Sequence, residues 1–315
     1  MRLAVLCALA LPLVLASACS SSSPETLTAA GPPSADGTEP VPVADSGVST
    51  APEAKATAPA TGSKGCGSSG ALSKPGRLSD LEIAVGKSRR TYALTVPTGY
   101  DASRSYPLVF ALHGSGGNGP GTRDYFGFES FAGDKAVFVY PSGENGSWEL
   151  DTPASQNKDV AFFDALVAEL GAKLCIDTTR IFATGYSNGA YMANQLGCRR
   201  GDVLRAIAPH AGGGPFENDG KYTSDGHLDC GQKPVAAMVF IGLADTGVDP
   251  SEGEKSLAHW TYADGCRAQT SAVAPGPCVA YQGCKKPVVS CKISGLGHEV
   301  WKEGAKATWS FFASF

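Results

Sequence analysis

The sequence predicts an α/β domain with a mostly parallel central sheet flanked by helices. Three observations predict it: apolar runs of strand length bounded by Pro and Gly, helical spacing between some of those runs, and runs such as Pro107–Leu112 that are apolar at every position. A strand apolar throughout is buried on both faces, as in parallel sheets covered by helices.

The elements follow in chain order. Thr91–Val96 alternates and stops at Pro97, an early strand. Pro107–Leu112 closes on His113-Gly114, and Ala136–Tyr140 stops at Pro141; both read as buried strands. Asp159–Leu170 has helical apolar spacing, with Asp159 as its expected N-cap. Arg180–Gly185 is a short strand, and Ala190–Leu196 is the helix behind it. Arg205–Pro209, Val235–Ile241 and Val288–Ile293 add three strands, and Ala305–Phe315 is a closing helix. No internal repeat is visible.

Ahead of this domain the chain changes character. Residues 1–19 place one basic residue before an apolar run and then small residues, the layout of an export signal and too short for a membrane span. Ala16-Ser17-Ala18 offers a cleavage site, while Cys19 before a serine run resembles a lipobox, with Ala16 where such motifs carry Leu. Free secretion and a lipid anchor through Cys19 on the outer surface both stay open. Residues 20–64 are rich in Ser, Pro, Ala, Gly and Thr without periodicity, and are expected to form a flexible linker. Residues 65–315 suffice for one large domain.

A net charge of −4, with no basic cluster beyond Arg199-Arg200, excludes nucleic acid as a partner. Of ten cysteines, Cys7 and Cys19 precede the domain. The remaining Cys66, Cys175, Cys198, Cys230, Cys266, Cys278, Cys284 and Cys291 are even in number, which in an exported domain reads as disulfides. The absence of any C-x-x-C pair argues against a metal site, and nothing calls for a cofactor.

Chemistry concentrates in three places. Gly185-Tyr186-Ser187-Asn188-Gly189 fits the G-x-S-x-G turn between a strand and a helix, which lifts a serine hydroxyl above the sheet at a helix N-terminus. A serine is a weak nucleophile and needs a base that an acid holds in place. His298, in Gly295-Leu-Gly-His-Glu299 after the last strand, is the expected base, with His210 in reserve. His227 falls in a polar loop, and His259 beside Trp260 reads as a packing residue. Asp245, just past the strand ending at Ile241, is the expected acid and Asp249 its rival. An oxyanion would need two N–H donors: Asn188, and Ser115 or alternatively Gly116 from the loop His113-Gly-Ser-Gly-Gly117. Trp148 and His113 are expected to line the substrate pocket, Trp148 as an exposed ring.

Leu112-His-Gly-Ser-Gly-Gly117, Leu174-Cys-Ile-Asp-Thr-Thr-Arg-Ile-Phe-Ala-Thr-Gly-Tyr-Ser-Asn-Gly189 and Gly295-Leu-Gly-His-Glu299 together resemble the feruloyl esterase and polyhydroxybutyrate depolymerase-like group. These are secreted enzymes of the α/β-hydrolase fold that share a family with acetylxylan esterases. The resemblance spans about residues 65–315, and the Cys66-Gly opening and Tyr281-Gln-Gly-Cys284 are similar to fungal feruloyl esterases in particular. It implies a triad of Ser187, Asp245 and His298. It also implies the disulfides Cys66–Cys175, Cys198–Cys230 and Cys266–Cys284, leaving Cys278 to pair with Cys291. The chain departs from the group in carrying Trp301 three positions after His298 with no Pro behind it, and Thr-Gly-Val-Asp-Pro after Asp245.

The resemblance implies a serine esterase acting on feruloyl or acetyl esters of plant cell-wall xylan, and a monomer without a cofactor is expected. A hydroxyalkanoate polyester is the alternative substrate within the class. A non-catalytic, glycan-binding surface lipoprotein is the competitor from another class, and the intact serine, histidine and acid speak against it. A peptidase is disfavoured because no propeller or large lid domain is visible.

Overall fold

A computed structural model of the chain describes residues 62–231 and 233–315. The export signal, Cys19 and nearly all of the expected linker lie outside the described residues. The packed chain starts before the expected boundary at 65. Gly62 bridges Asp177, the Ser63 N–H donates to the Ile176 carbonyl at 2.8 Å, and Cys66 is bonded to Cys175. Backbone pairing and a disulfide hold this stretch, and neither leaves an apolar pattern. Among the described residues no helix is long and apolar enough to cross a membrane.

The domain opens with an antiparallel hairpin, β1 (Gly76–Val85) and β2 (Ser88–Val96). Then come β3 (Tyr106–Leu112), α1 (Gly119–Phe126), the short α2 (Glu129–Ala132), β4 (Val137–Pro141) and α3 (Lys158–Lys173). The central stretch holds β5 (Ile176–Tyr186), α4 (Asn188–Arg199), β6 (Ala206–His210), β7 (Ala236–Gly242) and α5 (Pro250–Ala263). A second antiparallel pair, β8 (Arg267–Ala272) and β9 (Val279–Gln282), precedes β10 (Val288–Ile293) and α6 (Gly304–Ala313).

The described strands form one ten-stranded sheet in the order β1-β2-β4-β3-β5-β6-β7-β10-β9-β8. Its centre, from β4 to β10, is parallel throughout, and antiparallel strands finish both edges. Successive side chains of β7 fall alternately into two apolar cores: Ala237, Val239 and Ile241 face α4 and α5, while Ala236, Met238 and Phe240 join Trp309 and Phe312 of α6. A strand walled on both sides must be apolar at every step, which is why these segments are legible. This is the α/β-hydrolase architecture expected from the sequence.

The unforeseen strands have physical reasons for their silence. Strand β8 is exposed at all its positions, so nothing selects apolar residues there. In β1 the pairing register shifts between Leu78 and Leu81, where Asp80 takes φ 55°, and that interrupts the alternation. The N-cap of α3 is Asn157, not Asp159: its side chain accepts the N–H groups of Asp159 and Val160. The Asp159 carboxylate instead pairs with Arg90 at 2.6 Å, both buried, and accepts the Glu149 N–H at 2.7 Å. That link ties β2 to α3 and to the loop carrying Trp148.

All eight domain cysteines are paired, as Cys66–Cys175, Cys198–Cys230, Cys266–Cys284 and Cys278–Cys291, the set the resemblance implies. One grouping of described residues has metal-ligand spacing, Cys198, Cys230 and His259. Its two sulfurs are bonded to each other.

Candidate active site

The direction of strand addition reverses at β3, because β4 lies on one side of it and β5 on the other. Loops leaving the carboxyl ends of β3 and β5 diverge there, and such switch points are where open α/β sheets bind ligands. The loop after β3 is His113–Gly117 and the turn after β5 is Ser187.

Ser187 sits between Tyr186, the end of β5, and Asn188, the start of α4, with φ 55° and ψ −121°. A non-glycine residue held there stores strain, and its neighbours must be small. A Cβ on Gly185 would collide with the Gly189 carbonyl, and one on Gly189 with the Leu112 and His113 carbonyls. The two glycines of the motif are therefore a packing requirement. The Ser187 N–H donates to the His210 carbonyl at 3.0 Å, which fixes the turn over β6.

Three side chains from distant parts of the chain meet at this turn. Ser187 Oγ lies 2.9 Å from His298 Nε2, and His298 Nδ1 lies 2.8 Å from Asp245 Oδ2. The second oxygen of Asp245 accepts the N–H groups of Gly247 at 2.8 Å and Val248 at 2.9 Å. Burial opposes charge on this carboxyl, but the His298 bond and those two amides outweigh it and hold it below the usual carboxylate range. The tautomer that suits both contacts carries its proton on Nδ1 and leaves the Nε2 lone pair facing the hydroxyl.

The rival residues are engaged elsewhere. Asp249 caps α5, its carboxylate accepting the Ser251 N–H at 2.9 Å. The His210 ring stacks on Phe240 at 4.0 Å with Nε2 2.9 Å from Thr308 Oγ1, and burial pushes it down to about 3. Only its backbone carbonyl reaches Ser187. His259 lies against the Cys198–Cys230 disulfide, and the His227 ring stacks on Tyr262.

The two candidate donor positions after β3 differ. Gly116 N–H is spent on the Gly146 carbonyl at 2.7 Å, so it is not available to an oxyanion. Ser115 N–H has no acceptor among the described residues. Asn188 is the first residue of α4, where a backbone N–H has no acceptor within its helix.

Trp148, expected as an exposed ring, is buried, and His113 is buried too but lines the cleft beside Ser115. Trp148 is 5% exposed, its indole N–H donates to the His113 carbonyl at 2.8 Å, and its ring packs on that of His113. His113 is buried, which holds its imidazole below the usual range. Its Nε2 accepts the Gly143 N–H at 2.8 Å, so Nδ1 carries the proton and donates to the Gly114 carbonyl. Sequence does not reveal which face of a loop is packed, so an aromatic before a helix reads equally as exposed or buried.

Two tyrosines hold the His298 loop without a sequence motif that assigns them this role. Tyr186 Oη donates to the His298 carbonyl at 2.6 Å, and Tyr125 Oη accepts the Val300 N–H at 2.8 Å. Together they brace the loop on both sides of the imidazole. Tyr186 stood in the motif as its unspecified position, a signal available in principle; nothing around Tyr125 marks it.

No family model matches the chain. It is 33% identical over 241 residues to a probable feruloyl esterase C of Aspergillus terreus, covering 71% of this chain and 83% of that protein. Feruloyl esterase C of Emericella nidulans is 32% identical over the same length and coverage. Feruloyl esterase D of Neurospora crassa is 30% identical over 287 residues, covering 82% of this chain and 93% of that one. Among solved structures, an acetyl xylan esterase from Aspergillus awamori superposes with a TM-score of 0.57 at 17% identity, covering 74% of this chain and 98% of that one, a likeness of fold. The chain belongs to the feruloyl esterase family, whose members are carboxylic-ester hydrolases.

Proposed function

We propose that this protein is an exported, monomeric serine esterase that cleaves feruloyl or acetyl esters of plant cell-wall xylan. The observation that carries the reading is the line from Ser187 Oγ through His298 to Asp245, with contacts of 2.9 and 2.8 Å. Ser187 Oγ attacks the ester carbonyl while His298 Nε2 takes its proton. The resulting oxyanion accepts the Ser115 and Asn188 amides. His298 then protonates the leaving alcohol oxygen, the C–O bond breaks, and an acyl-Ser187 ester remains. Water, deprotonated by the same nitrogen, releases the acid and restores the hydroxyl. Asp245 stays ionised and stabilises the transient imidazolium.

Export is supported by the four disulfides, which persist in oxidising surroundings. The names of the relatives support the aromatic acyl group, and the acetyl xylan esterase shares only the fold. A chromogenic ester should give a burst of alcohol release as acyl-enzyme accumulates, and Ser187→Ala should abolish burst and turnover alike. Wild-type turnover in that variant would exclude the mechanism. Rates on methyl ferulate, acetylated xylan and a polyhydroxybutyrate film then rank the substrates.

A further inference from the structure

A cleft of about 430 Å³ opens from the loop carrying Ser115 toward α1. Its walls include Thr122, Tyr125 and Phe126 of α1 and Tyr186 from the end of β5. It adjoins the reacting hydroxyl, since a Cβ on Gly114, which lines it, would lie 3.3 Å from Ser187 Cβ. The volume falls within the roughly 300–1,000 Å³ of small-molecule pockets.

The wall chemistry is selective. The rings of Tyr125 and Tyr186 meet edge to face at 5.4 Å, and Phe126 adjoins Tyr125 at 5.9 Å. Both tyrosine hydroxyls are engaged by the backbone around His298. The Thr122 hydroxyl donates to the Asn118 carbonyl at 2.9 Å. With its polar tips occupied, the wall offers rigid aromatic surface, which favours a planar ring in offset or edge contact. An acetyl group would leave most of the cleft to water.

The proposed mechanism limits which part of the substrate can lie there. The leaving alcohol must reach His298 Nε2 for its proton, and the carbonyl oxygen must face the Ser115 and Asn188 amides. The acyl substituent is what remains to extend along the oxyanion loop. Resting on that reading of the site, we propose that this cleft is the acyl pocket and that Tyr125 sets the preference for aromatic over acetyl esters. Tyr125 is half exposed, so its ring is available to a ligand.

The test compares kcat/KM on methyl ferulate with that on p-nitrophenyl acetate. Tyr125→Ala should lower the ferulate-to-acetate ratio roughly ten- to hundredfold, the discrimination available from one apolar pocket contact. Tyr125→Phe keeps the ring, loses only the Val300 bond, and should preserve the ratio within about twofold. Ferulate titrated into Ser187→Ala should bind at least about tenfold more weakly once Tyr125→Ala is added. A ratio unchanged in Tyr125→Ala, with Ser187 still required, overturns the pocket assignment and leaves the esterase reading intact. An equal loss on both esters assigns Tyr125 to the His298 loop alone and also overturns it. Turnover that survives Ser187→Ala defeats the esterase mechanism itself.

Discussion

The indole N–H of Trp148 donates to the carbonyl oxygen of His113 at 2.8 Å, while the Trp148 backbone N–H donates to Asn188 Oδ1 at the same distance. One residue of the β4–α3 loop thus fastens both backbone segments proposed to hold the oxyanion. Trp148→Phe keeps ring packing against His113 but leaves a buried carbonyl without its donor, a cost of about 1–3 kcal/mol. The melting temperature should fall by roughly 2–4 °C per kcal/mol for a domain of this size. Because Ser115 and Asn188, in their proposed roles, act on charge that develops only in the transition state, kcat should fall several-fold with KM little altered. Unchanged kcat beside a lowered melting temperature would confine Trp148 to stability.

Asp245→Asn tests the orienting carboxylate. Gly247 and Val248 both donate to Oδ1. An asparagine would keep its carbonyl oxygen there and turn its NH₂ toward His298. Two donors would then face each other unless the imidazole moved its proton to Nε2, the nitrogen that must receive the Ser187 proton. Steady-state turnover should drop on the order of 10³–10⁴-fold, with folding preserved by circular dichroism. A loss below tenfold would remove Asp245 from the proton path.

The disulfides are predicted to rank by the loop each closes. Cys66–Cys175 spans 109 residues and Cys278–Cys291 spans 13. Chain entropy assigns about 4–5 kcal/mol to the first and about 3 kcal/mol to the second. Paired Cys→Ser variants, unfolded in guanidinium, should follow that order. The reverse order would mean that native contacts, rather than the unfolded ensemble, dominate.

Much of this architecture is legible because each buried strand answers to two cores at once, as in β7. Ser187 and His298 are legible for a different reason: glycines flank the serine where no larger side chain fits, and the histidine follows the last strand. Asp245 follows from its place beyond β7. Trp148 reads as an exposed ring because an aromatic side chain suits a pocket as well as a scaffold. The role of Tyr125 depends on α1 approaching the His298 loop, 175 positions away, and no local pattern encodes that approach.

Asp264 makes the sharpest pH prediction. It is fully buried at the C-cap of α5, where one carboxyl oxygen accepts the Lys286 N–H at 2.9 Å and the other has no partner. Burial raises its carboxyl to about 7, against smaller opposing effects of the Lys286 amide and the charges of Lys285 and Lys286. In the unfolded chain it ionises near pH 4, so between about 4 and 7 only the folded protein keeps the proton. Its favourable contribution is complete below about pH 4, declines as pH rises toward 7, and is absent above that. Asp264→Asn mimics the protonated group, still accepts from Lys286 and does not titrate. The variant should match the wild type at pH 4 and exceed its melting temperature by several degrees at pH 8. His210, pushed down to about 3, and His259, pushed down to about 4, weaken both proteins as pH falls below about 6.5, so their effect cancels in the comparison. A difference equal at both pH values would mean that Asp264 does not titrate in this window.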